Sequence, residues 1–501
     1  SGETTQIVAE GNNTTEVTAV ANEGYTFIGW SDGTRTAKIT YKPEDAANLV
    51  AYFTHASTDT EETKGLPVIE INTLNGLSIT SKDVYTDCYI SLLDTETGNN
   101  VVSELAEIKG RGNSTWEKFD KKPYKFKFES KQNLFGYGAE KTWVLLADAR
   151  DYSLLRNMLA LNAGLSMSEL GYTSMGQSVE LYLNGEYRGV YYLCEQIQVK
   201  ENRVNITAED KGVDKDGDGM IDPDSIGYLV EMDAWAADGS NKNLPNYTKD
   251  GDVFVTINGG QKPYVIKDPE DVFFDENGEF DADKAKPYLD YIKGYLQECH
   301  NAINADATVE GNYETLCELI DVKSFAQAYI IFDLFKNPDV NYSSVYYYKD
   351  VNGKLVAAPL WDFDMAIGNV THKEGNTGWQ IFSNTERLWT AERNDWMREL
   401  LEYEEFRTLV YEELVANEKG IKDSIASDLA YARAHKEAYE KNFTKWNLIG
   451  NVGASQASGN WSVPEQFRKY TTWEEHLAYI ENYLNESYAY LLTYYAPNTA
   501  E

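Results

Sequence analysis

Hydrophobic and polar residues follow different periods along this chain of 501 residues. Near the N-terminus, apolar positions alternate with polar ones, which predicts short β-strands at 16–21, 22–30 and 47–53. In the last third, apolar residues recur every three or four positions, which predicts helices at 397–416, 421–443 and 473–494. We therefore predict an α+β fold, divided into a small β module at 1–55, a polar linker at 56–65, a mixed region at 66–400 and a helical part of the same domain at 401–501.

A short apolar run at 356–360 predicts a buried strand whose carboxyl end carries Asp362 and Asp364. Side chains in a strand repeat every two residues, so both carboxylates would lie on one face. Hard oxygen ligands of this kind suit Mg²⁺ or Mn²⁺. A helical pattern at 324–336 precedes Asp339, which falls on a loop. A loop aspartate followed along the chain by metal-binding aspartates is typical of phosphoryl-transfer sites. The alternative is that these carboxylates only cap turns.

Basic residues that could contact phosphates occur in three places. Residues 109–116 combine two glycines with Arg111 and three small polar residues, so the segment could cradle phosphates or form a plain hairpin turn. In the next predicted strand, Lys125 and Lys127 lie on the same face. That face could contact phosphate, or it could simply be exposed to solvent. Arg156, in a helix opened by Asp151, could contact phosphate or form a structural salt bridge.

A second acidic constellation, within an insertion near 210–226, has the spacing of a calcium loop. Carboxylates occupy its positions 1, 3, 5 and 9, and Gly219 stands at position 6, where a sharp turn is needed. Position 12 is Ser225 rather than glutamate, and the alternative is an acidic turn without a cation. The predicted Ca²⁺ ligands are the carboxylates of Asp214, Asp216, Asp218 and Asp222 and the carbonyl of Met220.

Charge and composition narrow the range of functions. The chain has 45 Lys plus Arg against 81 Asp plus Glu, a net charge of −36, which disfavours binding to nucleic acid or anionic membranes. It lacks any run of 18 apolar residues that would predict a membrane span. The four cysteines show no metal-binding spacing and are predicted to be free thiols.

Six sequence motifs, taken together, give the chain a resemblance to a known family. They occur in the order KGRGNSTW at 109–116, KKPYKFK at 121–127, WVLL at 143–146, RD and LRN at 150–157, GEYRGVY with Glu195, and PLWDFD with GN at 359–369. From about residue 66 the chain resembles the CotH kinase family, named for a bacterial spore-coat protein. The resemblance implies an atypical, two-lobed protein-kinase-like fold that binds ATP with a divalent metal and phosphorylates proteins. The first 55 residues, with GYTFIGW at 24–30, resemble the divergent internalin-type B repeat of bacterial surface proteins.

Positions carried over from the resemblance give roles to single residues. Asp339 resembles the catalytic aspartate, and Asp362 the metal-binding aspartate with Asp364 beside it. The family keeps an acid at the position of Glu195, so we predict that Glu195 pairs with Lys125 at the nucleotide. One departure is Ser344, where spore-coat members have an asparagine that would serve as a second metal ligand.

Two classes of function follow from these observations. The first is a secreted or surface-attached atypical kinase that uses ATP and Mg²⁺ or Mn²⁺ to phosphorylate a protein acceptor. The second is a non-catalytic extracellular module, such as an adhesin or a component of a polysaccharide-degrading complex, that retains the fold. Both place the chain outside the cytoplasm, at the surface of a Gram-positive bacterium, with partners among extracellular proteins.

Overall fold

The computed structural model separates the chain into two compact units. The first comprises Ser1–Ala149, Gly176–Glu195 and Ala432–Asn460, and the second comprises Arg150–Met175, Gln196–Tyr431 and Trp461–Glu501. The residues that the structure describes are 5–9, 12–22, 25–30, 34, 36–42, 49–55, 65–94, 99–217, 219–238, 240–241, 244–248, 251–260, 262–370, 383–449 and 466–497. The predicted linker at 56–65 therefore lies almost entirely outside the described residues.

Two small antiparallel pairs of strands form the N-terminal part of the first unit. Strand β1 pairs with β3, and β2 pairs with β4. Their rings pack together: Phe27 makes edge contacts with Trp30 and Phe53 at centroid distances of 5.8 and 5.7 Å. Strands β1 Val17–Thr18, β2 Tyr25–Trp30 and β4 Ala51–His55 confirm the three predicted strands with shorter or shifted bounds, whereas β3 Lys38–Ile39 was not predicted.

A closed β-barrel dominates the first unit. Its strands run in the order β10–β11–β9–β8–β7–β6–β5, and a parallel pairing of β10 with β5 closes it. The neighbouring pairs inside this order are antiparallel. The strands are β5 Val68–Thr73, β6 Thr86–Asp94, β7 Asn99–Gly110, β8 Tyr124–Asn133, β9 Ala139–Leu146, β10 Gly176–Leu183 and β11 Glu186–Glu195. Helices α1 (Ser114–Lys118) and α10 (Lys436–Trp446) also belong to this unit.

The second unit combines helices with a sheet of strand order β15–β16–β12–β17. The strands of this sheet are β12 Tyr228–Met232, β15 Phe254–Val255, β16 Tyr264–Asp268 and β17 Val345–Lys349. Strands β13 Ser240–Asn241 and β14 Leu244–Thr248 form a separate pair. Its helices are α2 Arg156–Leu165, α3 Trp235–Asp238, α4 Ala282–Ile303, α5 Asn312–Leu319, α6 Val322–Phe335, α7 Trp389–Arg393, α8 Asp395–Leu400, α9 Glu404–Ala434, which ends in the first unit, and α11 Trp473–Tyr495.

Helix α6 is the core of the second unit, and its sequence explains its limits. Nearly every residue from Ser324 to Phe335 is buried, as expected for a helix that is apolar on all sides. The helix begins where the side chain of Asp321 accepts a hydrogen bond from the Ser324 amide at 2.9 Å. It ends before Asn337 and Pro338, because proline cannot continue a helix. The helix predicted at 324–336 is confirmed.

The strand predicted at 356–360 is wrong. In this segment, Val356 alone pairs with a strand that the structure describes, through an isolated bridge to Tyr348. Pro359 has no amide hydrogen and cannot join a ladder, which favours an extended segment instead. The argument that a strand places Asp362 and Asp364 on one face therefore fails, and another feature must position them.

The helix boundaries predicted around residue 420 are also wrong. Helix α9 runs without a break from Glu404 to Ala434, through the gap at 417–420 that separated two predicted helices. A Cβ atom at this glycine would lie 3.0 Å from the Cβ of Ser166, so the glycine permits close packing inside a helix. Helix α11 confirms the last predicted helix and begins with a capping box at Thr472 and Glu475.

The mixed α+β class, with a β-rich N-terminal region and a helical C-terminal part, is confirmed. All four cysteines are free thiols, as predicted. Within the described ranges, each helix is too short or too polar to cross a bilayer.

Candidate functional site

The acidic segment, residues 362–364, is positioned by the ring between its two aspartates. Phe363 is fully buried and stacks on Phe332 at 5.9 Å, with Phe335 edge-on at 5.8 Å. Burial of this ring leaves Asp362 and Asp364 half-buried on either side of it. Asp362 has a φ of +61°, a left-handed conformation that aspartate tolerates better than most residues. An aromatic anchor thus does what the predicted strand was expected to do.

Amide side chains hold the backbone of the acidic segment in place. Asn157 accepts a hydrogen bond from the Phe363 amide at 2.7 Å. Asn369 donates to the carbonyls of Asp364 and Arg150 at 2.7 and 3.0 Å. Buried polar groups that are satisfied in this way restrict a loop to one conformation. The backbone of the segment is therefore preorganised.

Asp339 lies on the turn that follows helix α6, as predicted. The residues Pro338–Asn341 form one turn of 3₁₀ helix, and the side chain of Asn337 accepts a hydrogen bond from the Asp339 amide at 3.0 Å. The Asp339 carbonyl accepts from the Tyr342 amide at 2.8 Å. The turn is thus fixed at both ends, and it presents a half-buried carboxylate.

The carboxylates of Asp339, Asp362 and Asp364 interact strongly. Burial, and then the charges of Asp362 and Asp364, raise the pKa of Asp339 well above its usual range. Burial raises the pKa of Asp364 to about 7, with the guanidinium of Arg150 opposing this shift and the Asp362 carboxylate adding to it. The Nε atom of Arg150 lies 3.6 Å from Oδ2 of Asp364. At Asp364, burial and the neighbouring carboxylates thus outweigh the favourable charge of this guanidinium.

A divalent cation fits this arrangement. Carboxylates that repel one another when ionised gain most from a bound cation, and Mg²⁺ and Mn²⁺ prefer such oxygen donors. In the described part of the chain, no group of three or more His, Cys, Asp or Glu side chains is arranged to hold a metal by itself. Mg²⁺ is commonly held by one or two carboxylates together with phosphate oxygens and water. Asp362 and Asp364 are the two residues of the acidic segment that could hold such an ion.

Arg156 occupies a different environment from the one proposed for a phosphate contact. It is 1% exposed, forms a very short ion pair with Asp151 and donates from Nε to the Ala366 carbonyl at 2.8 Å. The same Asp151 carboxylate accepts from the Leu155 and Arg156 amides at the start of helix α2. The structure thus places Arg156 in the structural salt bridge that was the alternative. A phosphate contact stays a prediction that would require these bonds to break.

In the first unit, the predicted phosphate loop at 109–116 leads from β7 into helix α1. Gly110 allows close packing, because a Cβ there would lie 2.4 Å from the Trp116 ring. Gly112 has a φ of +78°, which only glycine adopts readily. Arg111, between them, is half-buried, and its amide donates to the Pro123 carbonyl at 3.2 Å. The two glycines therefore shape the loop around Arg111.

The structure distinguishes the two lysines of β8. Lys127 is exposed and pairs with Glu107 on the neighbouring strand at 3.5 Å, whereas Lys125 is half-buried. The strand register sets Lys125 opposite Val144, while Glu195 is fully buried and pairs with Trp143. The register alone does not bring Lys125 and Glu195 opposite each other, so their pairing stays a prediction.

The predicted calcium loop forms a compact acidic turn. Asp214 accepts hydrogen bonds from the Gly217 and Gly219 amides at 2.7 and 2.9 Å, and both glycines have positive φ. Asp222 accepts from the Lys215 amide at 2.5 Å. Asp216 and Met220 are also described, whereas Asp218 lies outside the described residues. The turn has the sharp bend at Gly219 that the spacing required.

Sequence reasoning missed the roles of Arg150 and of the asparagines around the acidic segment. Arg150 stands in one of the motifs, but its ion pair with Asp364 depends on packing between segments far apart in sequence. Asn337 offered a usable signal, because asparagine before Pro-Asp is typical of a side chain that caps the following turn. The second hydrogen bond of Asn337, to Asp362, had no such signal.

Comparisons with known proteins agree with the motifs. A family model described as CotH kinase protein matches residues 108–491, and one described as Divergent InlB B-repeat domain matches residues 1–57. Both resemblances stated from the sequence are thereby confirmed. No curated protein matches the chain.

The repulsion among the carboxylates predicts how metal-free stability depends on pH. A raised carboxyl pKa favours the folded state only while the folded group is protonated, so this stability is present near pH 4 and lost as pH rises through about 7. Asparagine carries no charge, so Asp364→Asn, which removes the carboxyl whose pKa is raised to about 7, should raise the melting temperature in EDTA at pH 8, by about 2–4 °C per kcal/mol of destabilisation relieved, and much less at pH 4. Asp120→Asn, at an exposed position, is the control. An equal gain at both pH values would contradict the electrostatic explanation.

Proposed function

Because the chain belongs to the CotH kinase protein family, we propose that it transfers the γ-phosphate of ATP to a hydroxyl group of a protein acceptor, using Mg²⁺ or Mn²⁺. The observation that carries this proposal is the cluster of three interacting carboxylates, Asp339, Asp362 and Asp364, on two preorganised segments. Family membership supports a kinase-like protein. The two-lobed arrangement and the phosphate transfer belong to the proposal.

In this proposal the three carboxylates divide the work. Asp362 and Asp364 hold the metal, which supplies positive charge against the phosphate oxygens. Asp339 orients the acceptor hydroxyl and takes its proton as the hydroxyl oxygen bonds to the γ-phosphorus and the bond to ADP breaks. After burial, the charges of Asp362 and Asp364 contribute to the raised pKa of Asp339, so a cation held by these two carboxylates would lower that pKa. A lower pKa would favour the ionised form of Asp339, which can accept the hydroxyl proton.

In this proposal, basic residues of the first unit are assigned to the nucleotide. Lys125 and Arg111 contact its phosphates, and Glu195 supports Lys125. Lys125 is half-buried, whereas the nearby Lys127 is exposed and pairs with Glu107 at the surface. This difference supports Lys125 as the phosphate contact. Ser344 stands where spore-coat members of the family have an asparagine that would bind a second metal ion. It adopts a φ of +62°, a conformation in which asparagine is more common than serine.

The two family matches suggest a surface or extracellular protein. We extend this to a chain that acts outside a Gram-positive bacterium on an extracellular or surface protein. The net charge of −36 keeps such a protein soluble and disfavours contact with nucleic acid.

The two lysines of β8 provide a matched pair for testing nucleotide binding. Lys125→Ala should weaken Mn²⁺-ATP binding by about 10- to 100-fold, the effect of losing a hydrogen bond between charged groups. Lys127→Ala, which breaks only an exposed ion pair, should change the affinity by less than about twofold. Isothermal calorimetry measures both. A loss confined to Lys127→Ala would move the site to that lysine, and the absence of metal-dependent ATP binding in the unmutated chain would end the kinase proposal.

Transfer is tested at Asp339. If Asp339 acts on the acceptor hydroxyl, Asp339→Asn should retain Mn²⁺-ATP affinity within about threefold and lower transfer by about 10²- to 10⁴-fold. The measurement is incorporation of label from radiolabelled ATP into the chain itself or into added secreted proteins. Label that persists in Asp339→Asn would reassign the catalytic residue. If the unmutated chain binds ATP and incorporates no label, the non-catalytic surface module becomes the better description.

We further propose that the turn at 214–222 binds Ca²⁺ and stiffens the insertion around it. The alignment of Asp214 and Asp222 with the loop amides supports this, because it orders a carboxylate-rich turn before any cation is present. Lys215, which pairs with Asp224 at 2.5 Å, partly offsets the negative charge.

Millimolar CaCl₂ should therefore raise the melting temperature relative to EDTA, and Asp222→Asn should reduce that shift more than Asp224→Asn does. The proposal fails if the unmutated chain shows no calcium-dependent shift.

A further inference from the structure

Asn337 makes two side-chain hydrogen bonds that lead to different parts of the site. Its Oδ1 atom accepts from the Asp339 amide at 3.0 Å, and its Nδ2 atom donates to the Asp362 carbonyl at 3.1 Å. Asn337 is 2% exposed, so neither bond competes freely with water. One amide group therefore joins the turn that carries Asp339 to the segment that carries Asp362.

The backbone of Asn337 is itself firmly held. Its carbonyl accepts a hydrogen bond from Nε1 of Trp389 at 2.9 Å. The adjacent Thr390 amide donates to Asp333 at 2.7 Å, and Asp333 forms a buried ion pair with Lys336, the residue just before Asn337. Helix α7 and the end of helix α6 thus fix the point from which the Asn337 side chain extends.

The bond to Asp362 acts at a sensitive place. Asp362 is in the left-handed region, at a φ of +61°, where a residue other than glycine needs support from its surroundings. Asn157 and Asn369 hold the residues on its C-terminal side, whereas Asn337 holds the carbonyl of Asp362 itself. Loss of that bond would allow Asp362 to turn relative to Asp339.

We propose that Asn337 is a positioning residue that sets the distance between Asp339 and Asp362, and so between the acceptor hydroxyl and the metal-bound phosphate. The inference rests on the proposed function. Misplacement of reacting groups by about 1 Å can cost about 10²-fold in rate, so one amide bridge has a large effect on transfer. Its effect on nucleotide binding is smaller, because the proposed contacts of Asp364, Lys125 and Arg111 do not depend on Asn337.

Two substitutions separate the bridge from a simple cap of the turn. Asn337→Ala removes both hydrogen bonds. Asn337→Ser keeps a hydroxyl that can accept from the Asp339 amide, as serine does in turns, but the shorter side chain cannot reach the Asp362 carbonyl. If capping were the whole role, serine would restore what alanine loses. The positioning role requires that serine fail to do so.

The experiment measures autophosphorylation rate at saturating Mn²⁺-ATP, Mn²⁺-ATP affinity by calorimetry, and melting temperature. We expect both variants to lower the rate by about 10- to 100-fold and to keep the affinity within about threefold. Asn442→Ala is the matched control, since Asn442 is also fully buried and accepts from the Val190 amide at 3.1 Å in the first unit. It should lower the melting temperature with little change in rate.

Three results would overturn the inference: a normal rate in Asn337→Ser, an equal loss of rate in Asn442→Ala, or a fall in affinity as large as the fall in rate. If the unmutated chain incorporates no label, the proposed function fails separately. A crystal structure of Asn337→Ser then decides the positioning role without any activity. Displacement of the Asp362 carbonyl relative to Asp339 supports it, and unchanged spacing refutes it.

Discussion

Electrostatic repulsion among Asp339, Asp362 and Asp364 is the constraint on which the site depends. Three half-buried carboxylates near one guanidinium are unfavourable when all are ionised, so packing and hydrogen bonds must hold them together. The burial of the Phe363 ring supplies much of that packing. Holding these charges together therefore costs folding free energy.

The scaffold around these charges consists largely of uncharged amides. Asn157, Asn337 and Asn369 bind backbone atoms of the acidic segment, and Asn337 also binds the turn beside it. Amides can donate and accept without adding charge to a cluster that already has an excess. Arg156 has a related role, because its buried pair with Asp151 reaches the carbonyl of Ala366, just beyond the acidic segment. Geometry and charge are therefore controlled by different side chains.

The sequence predicted those parts of the fold that depend on local pattern. Helix α6 and the alternation in β8 follow from apolar spacing, and Asp339 was placed correctly because proline ends the helix before it. Prediction failed where contacts between distant segments decide. The segment at 356–360 is as apolar as a buried strand, but only Val356 pairs with a described neighbouring strand, through one isolated bridge. The gap predicted at 417–420 is helical, and Gly420 lies there against Ser166, a contact that the sequence does not show.

The parallel pairing that closes the barrel has a consequence for how the chain folds. Strand β5 ends at Thr73, but its partner β10 begins only at Gly176. During folding, β5 therefore stays unpaired on one side until β10, more than a hundred residues further along the chain, reaches it. Pairing between such distant strands is slow to form, because the intervening chain loses much conformational freedom when the ring closes. Until then, the open edges of the sheet can pair with other chains, so barrel closure is the vulnerable step in the biosynthesis of this protein.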